Sequence, residues 1–457
     1  MKSNLHASVV LLAMTFASSV LAAVSAEEAR QLGTTLLPWG AEKAGNKEGT
    51  IPEYVDERVK PPANYDPKQP GHLPDPWNEK PLYSITAQNV AQYANRLSEG
   101  HIAMFKKYPD YRMDIYKTHR TAQYPKYVID NSLKNATSCK AVNDELRLEG
   151  CYGGIPFPIP KTGNQVIWNH ELHYGMPTGT GEGRGYLVSS EGKLILTAEQ
   201  TLNGDSLYYD PNRTTPADPQ TAFVRFRVDY SGPARKSGEK LLGIQSLDPV
   251  TPGNRIWQYL PGQRRIKLAP DLAYDTPNPT SGGVSTMDEG LVFFGAQDRY
   301  DMKLLGKKEI YIQYNNFRIT DPNTCPAEKY FTKNFVNPDC VRWELHRTFV
   351  VEARLKPGFR HVLPRRIMYF DEDVWGPGTG VGYDASGSIF RVDEAPYFPY
   401  YNLGYGHAVS AAITMDLNTG AYYQSTFYAY PGGGIVEGKK KPDTFYSPES
   451  LAGEGIR

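Results

Sequence analysis

Residues 341–355 alternate between apolar and polar side chains. Every second residue from Val341 is apolar except Arg347, and the residues between them are polar or charged except Val350. This period of two predicts a β-strand with one face on an apolar interior and the other face in water. Arg347 then lies on the inward row, where a guanidinium group needs a partner.

The pattern leaves two interpretations of Arg347. In the first, the side chain has a structural partner, either a carboxylate or main-chain carbonyls, or a twist of the sheet lets it reach water. In the second, Arg347 lies at the mouth of a cavity and holds a lid or the anionic headgroup of a ligand through bidentate hydrogen bonds.

Similar alternation recurs along the chain, with glycine-containing connections between the segments. The segments are residues 165–174, 185–201, 221–232, 254–268, 307–319, 383–393 and 411–427. In residues 221–232 an apolar row of Val224, Phe226 and Val228 alternates with arginines. Short strands joined by such turns are typical of antiparallel sheets. The sequence therefore predicts an α+β fold that is mostly antiparallel β.

One segment, residues 86–107, predicts helix instead. Thr86 is its expected N-cap, residues 98–100 interrupt it, and Pro109 ends it. We interpret it as a pair of helices that cover one face of the sheet.

The chain divides into three parts by composition. Residues 1–23 have the basic start, short apolar run and small residues of a cleaved secretory signal peptide. Residues 24–83 form an N-terminal segment with eight prolines between positions 52 and 81, which excludes a regular helix there. This arm lies along the folded body or is a mobile linker. Residues 84–457 form the main domain, including a helical lid at about residues 86–108.

Export places the cysteines in an oxidising compartment. Four cysteines allow three pairings, and we favour the two sequence-local disulfides, Cys139–Cys151 and Cys325–Cys340. The tight C-x-x-C spacing of a cysteine metal site is missing, so no metal is expected there.

Charge argues against nucleic acid as a partner, and hydropathy argues against a membrane span. Removal of the signal peptide leaves 49 basic and 50 acidic residues, a formal charge of −1. Nucleic-acid binders are usually strongly basic, so no nucleic acid is expected. No apolar run after the signal peptide is long enough to cross a bilayer.

Catalytic motifs are missing from the sequence. There is no G-x-S-x-G, phosphate-binding loop or H-E-x-x-H, so we expect neither catalytic residues nor a cofactor. His170 and His173 fall on a predicted strand, where they would point to opposite faces and not share a metal. The carboxylates of residues 371–373 suit calcium chemically, but they lack a calcium-loop spacing and are expected at a solvated strand end.

Inward aromatic and aliphatic side chains are the remaining candidates for a site. They form either a filled core or the wall of an apolar cavity between the sheet and the helices. The candidate ligand-binding residues are Trp168, Val224, Phe226, Val228, Trp257, Tyr259, Trp343, Leu345, Arg347, Phe349 and Val351.

Long blocks of the chain resemble a proteobacterial family known as domain of unknown function 1329. The blocks include "LGTTLLPWGAEKAGNKEGTIP", "GIPFPIPKTGNQVIWNH", "IWQYLPGQRRIKLAPDLAYDTPNPTSGG" and "HRTFVVEARLKPGFRHVLPRRIMYFDEDVW". The family is similar to periplasmic lipoprotein carriers of the Lol type. The resemblance implies a strongly curved sheet or half-open barrel with helices on its concave face. It also implies an exporter of the resistance-nodulation-division type and an outer-membrane protein as partners.

The resemblance favours a periplasmic carrier of a lipid or other hydrophobic molecule, and not an enzyme. Two other functions stay open at the level of sequence. One is an envelope hydrolase, and the other is an assembly component that binds a protein partner through a strand edge.

Overall fold

The computed structural model describes residues 24–220, 222–269, 274–409 and 412–453. The predicted signal peptide, residues 1–23, lies outside the described residues. Among the helices of the described ranges, none has the length and apolar character needed to cross a membrane.

The helices are short and scattered between long stretches of sheet. They are α1 Ala26–Ala29, α2 Glu99–Lys107, α3 Lys126–Ser138, α4 Gly163–Glu171, α5 Ala327–Tyr330 and α6 Ser450–Gly453. A 3-10 helix, Val90–Arg96, precedes α2.

Strands provide most of the regular structure. The first ten are β1 Tyr83–Thr86, β2 Arg112–Ile115, β3 Lys140–Val142, β4 Arg147–Glu149, β5 Thr178–Val188, β6 Leu194–Asp205, β7 Ala222–Gly232, β8 Lys240–Ser246, β9 Arg255–Leu260 and β10 Arg265–Leu268. The others are β11 Tyr300–Gln313, β12 Trp343–Leu355, β13 Arg365–Asp371, β14 Gly378–Tyr383, β15 Ile389–Ala395, β16 Tyr397–Pro399, β17 His407–Val409, β18 Ile413–Asp416, β19 Tyr422–Phe427 and β20 Gly434–Glu437.

Sixteen strands of the described chain form one curved, open sheet. Its order is β1-β2-β12-β13-β14-β15-β18-β19-β5-β6-β7-β8-β9-β10, with β11 paired to β12 and β20 paired to β5. All these pairs are antiparallel except the single parallel bridge between β2 and β12. The predicted antiparallel α+β fold is confirmed.

Strand β12 is covered on both faces. All of its residues from Trp343 to Ala353 are buried, including Glu344 and His346 on the row predicted to face water. The prediction of a wet face is wrong here because other parts of the chain pack on both sides. Helix α4 contacts β11 and β12, while α2 contacts the neighbouring strands β14 and β15.

The segment "QVIWNHELHY" is helix α4, and its predicted strand is wrong. The Thr162 side chain accepts a hydrogen bond from the Gln165 amide and caps the helix. Every residue of α4 except Glu171 is buried. A helix buried on all sides has no amphipathic period, so its apolar run imitates a buried strand.

The predicted helix pair of residues 86–107 is present, but its first member begins later than predicted and is the 3-10 helix Val90–Arg96. Thr86 ends β1 and does not cap a helix. Ser98 caps α2, since its hydroxyl accepts from the His101 amide. At Gly100 a Cβ would lie 3.0 Å from both Val381 and Val392, so the lack of a side chain lets α2 lie directly on β14 and β15.

Both local disulfides are present in the structure, Cys139–Cys151 and Cys325–Cys340. The first ties the end of α3 to the segment after β4, and the second closes the loop that holds α5. All four cysteines are fully buried. Cross-links of this kind limit the unfolded chain more than the folded one.

The proline-rich arm lies against the body of the protein. The amide of Leu73 donates to the Thr320 hydroxyl at 3.0 Å. Beside it, Gly71, Gly181 and Gly434 pack backbone against backbone. A Cβ at Gly181 would lie 2.2 Å from the Gly434 carbonyl oxygen, and one at Gly434 would lie 2.6 Å from Gly71 Cα.

We predict that Gly181→Ala destabilises the fold by about 1–3 kcal/mol, because the methyl group must displace backbone and not a flexible side chain. Gly262→Ala is the matched control, since nothing lies within 4 Å of its Cβ position. Denaturant unfolding measures both free energies. Equal free energies of unfolding for the two variants would contradict the tight junction.

Candidate functional site

The eleven predicted ligand-binding residues do not form one wall. Trp168, Phe349 and Val351 belong to the core around α4, and Trp343 and Leu345 to the core around α2. Phe226 and Val228 lie in a third cluster on β6–β9, while Trp257 and Tyr259 lie in a fourth beside the C-terminal segment. Val224 packs on the first core, and Arg347 lies in an ion-pair network.

The environment of Phe349 is that of a core side chain. Its ring stacks on Trp375 with centroids 4.9 Å apart, and only 6% of the residue is exposed. Trp343 borders a cavity of about 10 Å³, which has room for about one water molecule. Neither environment has the several hundred cubic ångströms that a lipid-sized ligand occupies.

Four adjacent strands, β6 to β9, carry an apolar face that we call the open-sheet face. Register pairs Leu202 with Val228, and Val228 with Leu241, so these side chains lie side by side. The Phe226 ring covers Gly243, where a Cβ would come within 2.1 Å of the ring. The face comprises Ala198, Leu202, Phe226, Val228, Tyr230, Leu241 and Ile256.

The open-sheet face has two borders. On one side Thr426 and Tyr428 lie over Gly183 of β5. On the other side Phe294 approaches Phe226, with ring centroids 6.2 Å apart. Leu202, Phe226 and Phe294 are each only half-buried, in contrast to the core around β12.

The opposite row of β7 is buried, although the alternation places it in water. Arg225 pairs with Asp205 at 3.1 Å and with Asp443 at 2.8 Å. Arg227 pairs with Asp229 and lies 4.4 Å from the Phe445 ring centroid. The C-terminal segment, residues 442–453, thus covers the arginines and leaves the apolar row as the less covered face.

Arg347 is buried and joins the N-terminal arm to the sheet. Its Nη1 donates to the Ala44 carbonyl at 2.9 Å and lies 3.4 Å from Glu372 Oε1. Its Nε lies 3.5 Å from Glu42 Oε2. Lys307 binds the same two carboxylates, Glu42 at 3.0 Å and Glu372 at 2.7 Å. These partners are the carboxylate and carbonyl of the structural interpretation.

The carboxylates of residues 371–373 are buried, so the predicted solvated strand end is wrong. Arg120 donates two hydrogen bonds to Asp373, at 2.7 and 2.8 Å. Burial raises the pKa of Glu372 to about 7, although Lys307 opposes the shift. The Asp371 carboxylate accepts from the amides of residues 373 and 374 at 2.9 Å.

His346 lies between two of the buried acids. Its Nε2 is 3.3 Å from Glu344, and its Nδ1 is 3.3 Å from Asp371. Burial alone lowers the pKa of His346, but hydrogen bonds and charge from Asp371 and Glu344 raise it to about 9. The imidazole is therefore a cation at neutral pH, and the acids around it have a counter-charge.

This arrangement fits ion pairing better than a metal. One ligand atom each of His346, Asp371 and Asp373 lies within 4.8 Å of the others, which suits a metal by distance alone. A metal ligand histidine must be neutral. Without an ion the raised pKa favours the protonated imidazole, and Arg120 donates to both oxygens of Asp373, so an ion would have to displace the His346 proton and the Arg120 guanidinium.

His170 on α4 and His173 just after the helix also have main-chain partners. Their ring centroids lie 5.9 Å apart, and His173 Nδ1 lies 2.5 Å from the His170 carbonyl oxygen. His170 contacts the carbonyls of Trp375 and Phe293 through its two ring nitrogens, at 3.0 and 3.1 Å. Burial lowers the pKa of His170 to about 3, so it is a neutral core residue.

A cleft of about 560 Å³ separates the arm from residues 117–121. Trp77 forms part of its wall and stacks on His119 with centroids 4.3 Å apart. Its exposed charged residues carry both signs: Glu53, Glu57, Arg58, Lys60 and Lys117. These charges are mixed with apolar side chains such as Val55 and Trp77, whereas the open-sheet face is apolar throughout and is the better candidate for an apolar molecule.

We predict that Arg347→Leu destabilises the protein by about 3 kcal/mol, since it leaves a buried carboxylate with fewer partners. Arg354→Leu on the same strand is the control, because the Arg354 side chain is itself exposed and its pair with Glu352 contributes about 0–1 kcal/mol. Denaturant unfolding measures both. If Arg347→Leu and the control have the same free energy of unfolding, the ion-pair network does not hold the arm to the sheet.

The raised pKa of His346 predicts a loss of stability in alkaline solution. The stabilisation that the charged His346 imidazole provides is complete below pH 6.5, the ordinary pKa of histidine. It is lost as the pH rises through the pKa in the fold, about 9. The size of the loss is about 3 kcal/mol. Denaturant unfolding at pH 6.5 and 9 checks it, with His346→Gln as the comparison. Equal pH dependence in both proteins would show that His346 is not charged in the fold.

Comparison with solved structures finds similar chains of low sequence identity. A Vibrio parahaemolyticus domain, provisionally assigned as an outer membrane lipoprotein-sorting protein domain, is 11% identical with a TM-score of 0.43, covering 63% of this chain and 97% of that one. A DUF1329 family protein from Desulfovibrio piger is 11% identical with a TM-score of 0.40, over 60% and 92%. A LolA superfamily protein from Nitrosomonas europaea is 10% identical with a TM-score of 0.37, over 64% and 100%.

Sequence comparison gives a clear assignment. The chain is 38% identical to "Uncharacterized protein PA3922" of Pseudomonas aeruginosa, covering 100% of this chain and 99% of the relative. The model of the family described as "Protein of unknown function (DUF1329)" matches residues 84–452. The protein therefore belongs to the DUF1329 family.

Proposed function

We propose that the protein is a non-catalytic periplasmic carrier that binds a lipid or other apolar molecule on the open-sheet face. The observation that supports this proposal most is an apolar face shared by four neighbouring strands and not fully covered. Five of its seven residues are buried, and Leu202 and Phe226 keep part of their surface exposed. An apolar ligand laid across them removes hydrocarbon from water on both sides of the contact.

The energy available suits reversible carriage. Each methylene group buried contributes about 0.8 kcal/mol, so a chain of about ten methylenes gains enough to leave water but can return to a membrane. The borders of the face, Tyr428 on one side and Phe294 on the other, would limit the width of the ligand. Release needs only an acceptor with more apolar area, because the face is open.

The expected setting of such a carrier comes from the sequence. The signal-peptide pattern and two disulfides support the periplasm as its compartment. An exporter of the resistance-nodulation-division type and an outer-membrane protein are the partners that the family resemblance implies. They would supply and accept the ligand.

An assembly role through a strand edge has less support. Strand β10 is one of the two ends of the sheet order, so its outer edge is one place for strand addition. It has only four residues, Arg265–Leu268, and two of them are basic. Short edges with charged side chains are typical of edges that resist pairing.

We predict that Phe226→Ser weakens the binding of an apolar naphthylamine fluorescent probe about fivefold, since part of the aromatic contact is lost. Val250→Ser is the control, because this side chain is 48% exposed and lies outside the open-sheet face. Fluorescence titration of both folded variants measures the dissociation constants.

Native mass spectrometry of protein purified from the periplasm tests the proposal itself. A co-purified lipid of defined mass supports the carrier. Protein that carries no lipid, together with unchanged probe binding in Phe226→Ser, would refute the open-sheet face as the binding site.

A further inference from the structure

We propose that the loop between β12 and β13, residues 356–364, docks the protein on an anionic phospholipid surface. The loop exposes Phe359 and Val362, which are 45% and 47% accessible. Apolar side chains at a projecting hairpin end can enter the boundary between lipid headgroups and acyl chains. Such docking is independent of the proposed carrier function, because a lipid surface can be bound without cargo.

Basic residues flank the two apolar side chains. They are Arg354, Lys356, Arg360 and Arg365. Acids on neighbouring strands oppose some of them: Glu352 pairs with Arg354 at 2.7 Å and with Arg365 at 2.8 Å, and Asp301 lies opposite Arg354 in the register. The loop itself, residues 356–364, carries Lys356 and Arg360 and no acidic residue, which favours attraction to anionic headgroups.

The hairpin end is held in place. His361 Nε2 lies 3.0 Å from Asp288 Oδ2, and the Tyr300 hydroxyl donates to the Leu363 carbonyl at 2.8 Å. Leu363 itself is fully buried. Since the loop is already fixed with Phe359 and Val362 outward, docking costs little conformational entropy.

A lipid surface fits this loop better than a protein partner does. A stable protein interface buries about 800 Å² on each side, which two exposed apolar side chains do not supply. A bilayer offers phosphate and hydrocarbon together over an unlimited area. The lysine-rich residues 438–442 are equally basic, but they contain no large apolar residue that could enter a membrane.

The position of the loop connects docking with the open-sheet face. Asp288, which holds His361, also pairs with Arg366 at 2.8 Å. Six residues later in the same segment, Phe294 borders the face at Phe226. A docked loop would therefore bring one border of the open-sheet face toward the membrane.

Flotation of the mature protein with vesicles tests the proposal. Vesicles of phosphatidylcholine with 25% phosphatidylglycerol are compared with pure phosphatidylcholine, and binding is expected only to the anionic vesicles. The double variant Phe359→Ser/Val362→Ser and the single variant Arg360→Glu are each expected to lower the partition coefficient about tenfold. Lys440→Glu is the charge-matched control and is expected to change it less than twofold.

A second measurement keeps the test independent of variant folding. Phe359→Trp is expected to show a blue shift of the tryptophan emission on anionic vesicles, whereas Leu82→Trp, at a site 64% exposed elsewhere, is expected to show none. Absence of parent binding, equal binding by the loop variants, or a loss confined to Lys440→Glu would overturn the proposal. Capture of a purified protein by the loop without vesicle binding would also overturn it.

Discussion

The burial of charge around β12 is the constraint on which the rest of the structure depends. Other segments of the chain pack on both faces of this strand, yet three of its buried residues, Glu344, His346 and Arg347, are polar. A buried ion costs several kcal/mol unless opposite charges and hydrogen bonds surround it. Here the partners come from far along the chain, since Glu42 lies on the N-terminal arm and Glu372 beyond the next strand.

The same constraint explains why the arm is part of the fold. Without the arm, Arg347 and Lys307 lose Glu42, and Arg120 loses its bonds to the carbonyls of residues 42 and 43. Uncompensated buried cations are more costly than the ordering of a proline-rich segment, whose backbone is already restricted. The matched region of the family starts at residue 84, after the arm. The arm thus adds ion pairs to a sheet whose strands lie almost entirely in that region.

The sequence predicts the strand class well, because hairpin turns and period-two alternation are local signals. It predicts poorly which segments pack on each face of the sheet. Helix α4 is buried on all sides, so Val166, Ile167 and Trp168 give no helical period. On β7 the arginines are the buried row because aspartates and aromatic rings of the C-terminal segment meet them. Phe226 could be found as a candidate from its row, whereas Leu202 and Leu241 become its neighbours only through the register.

The two halves of the sheet therefore differ in what they can do. Around β12, the alternation of charge and hydrocarbon is largely compensated inside the protein, and the cavity beside Trp343 has room for about one water molecule. On β7, the arginines of one face are compensated by Asp205 and Asp229 of the sheet and by Asp443 of the C-terminal segment. The other face keeps hydrocarbon partly in water, a cost of about 25 cal/mol for each square ångström that a ligand could remove. A rigid charged half that supports a less covered apolar half is the arrangement that reversible binding requires, because the ligand then gains free energy without unfolding any part of the support.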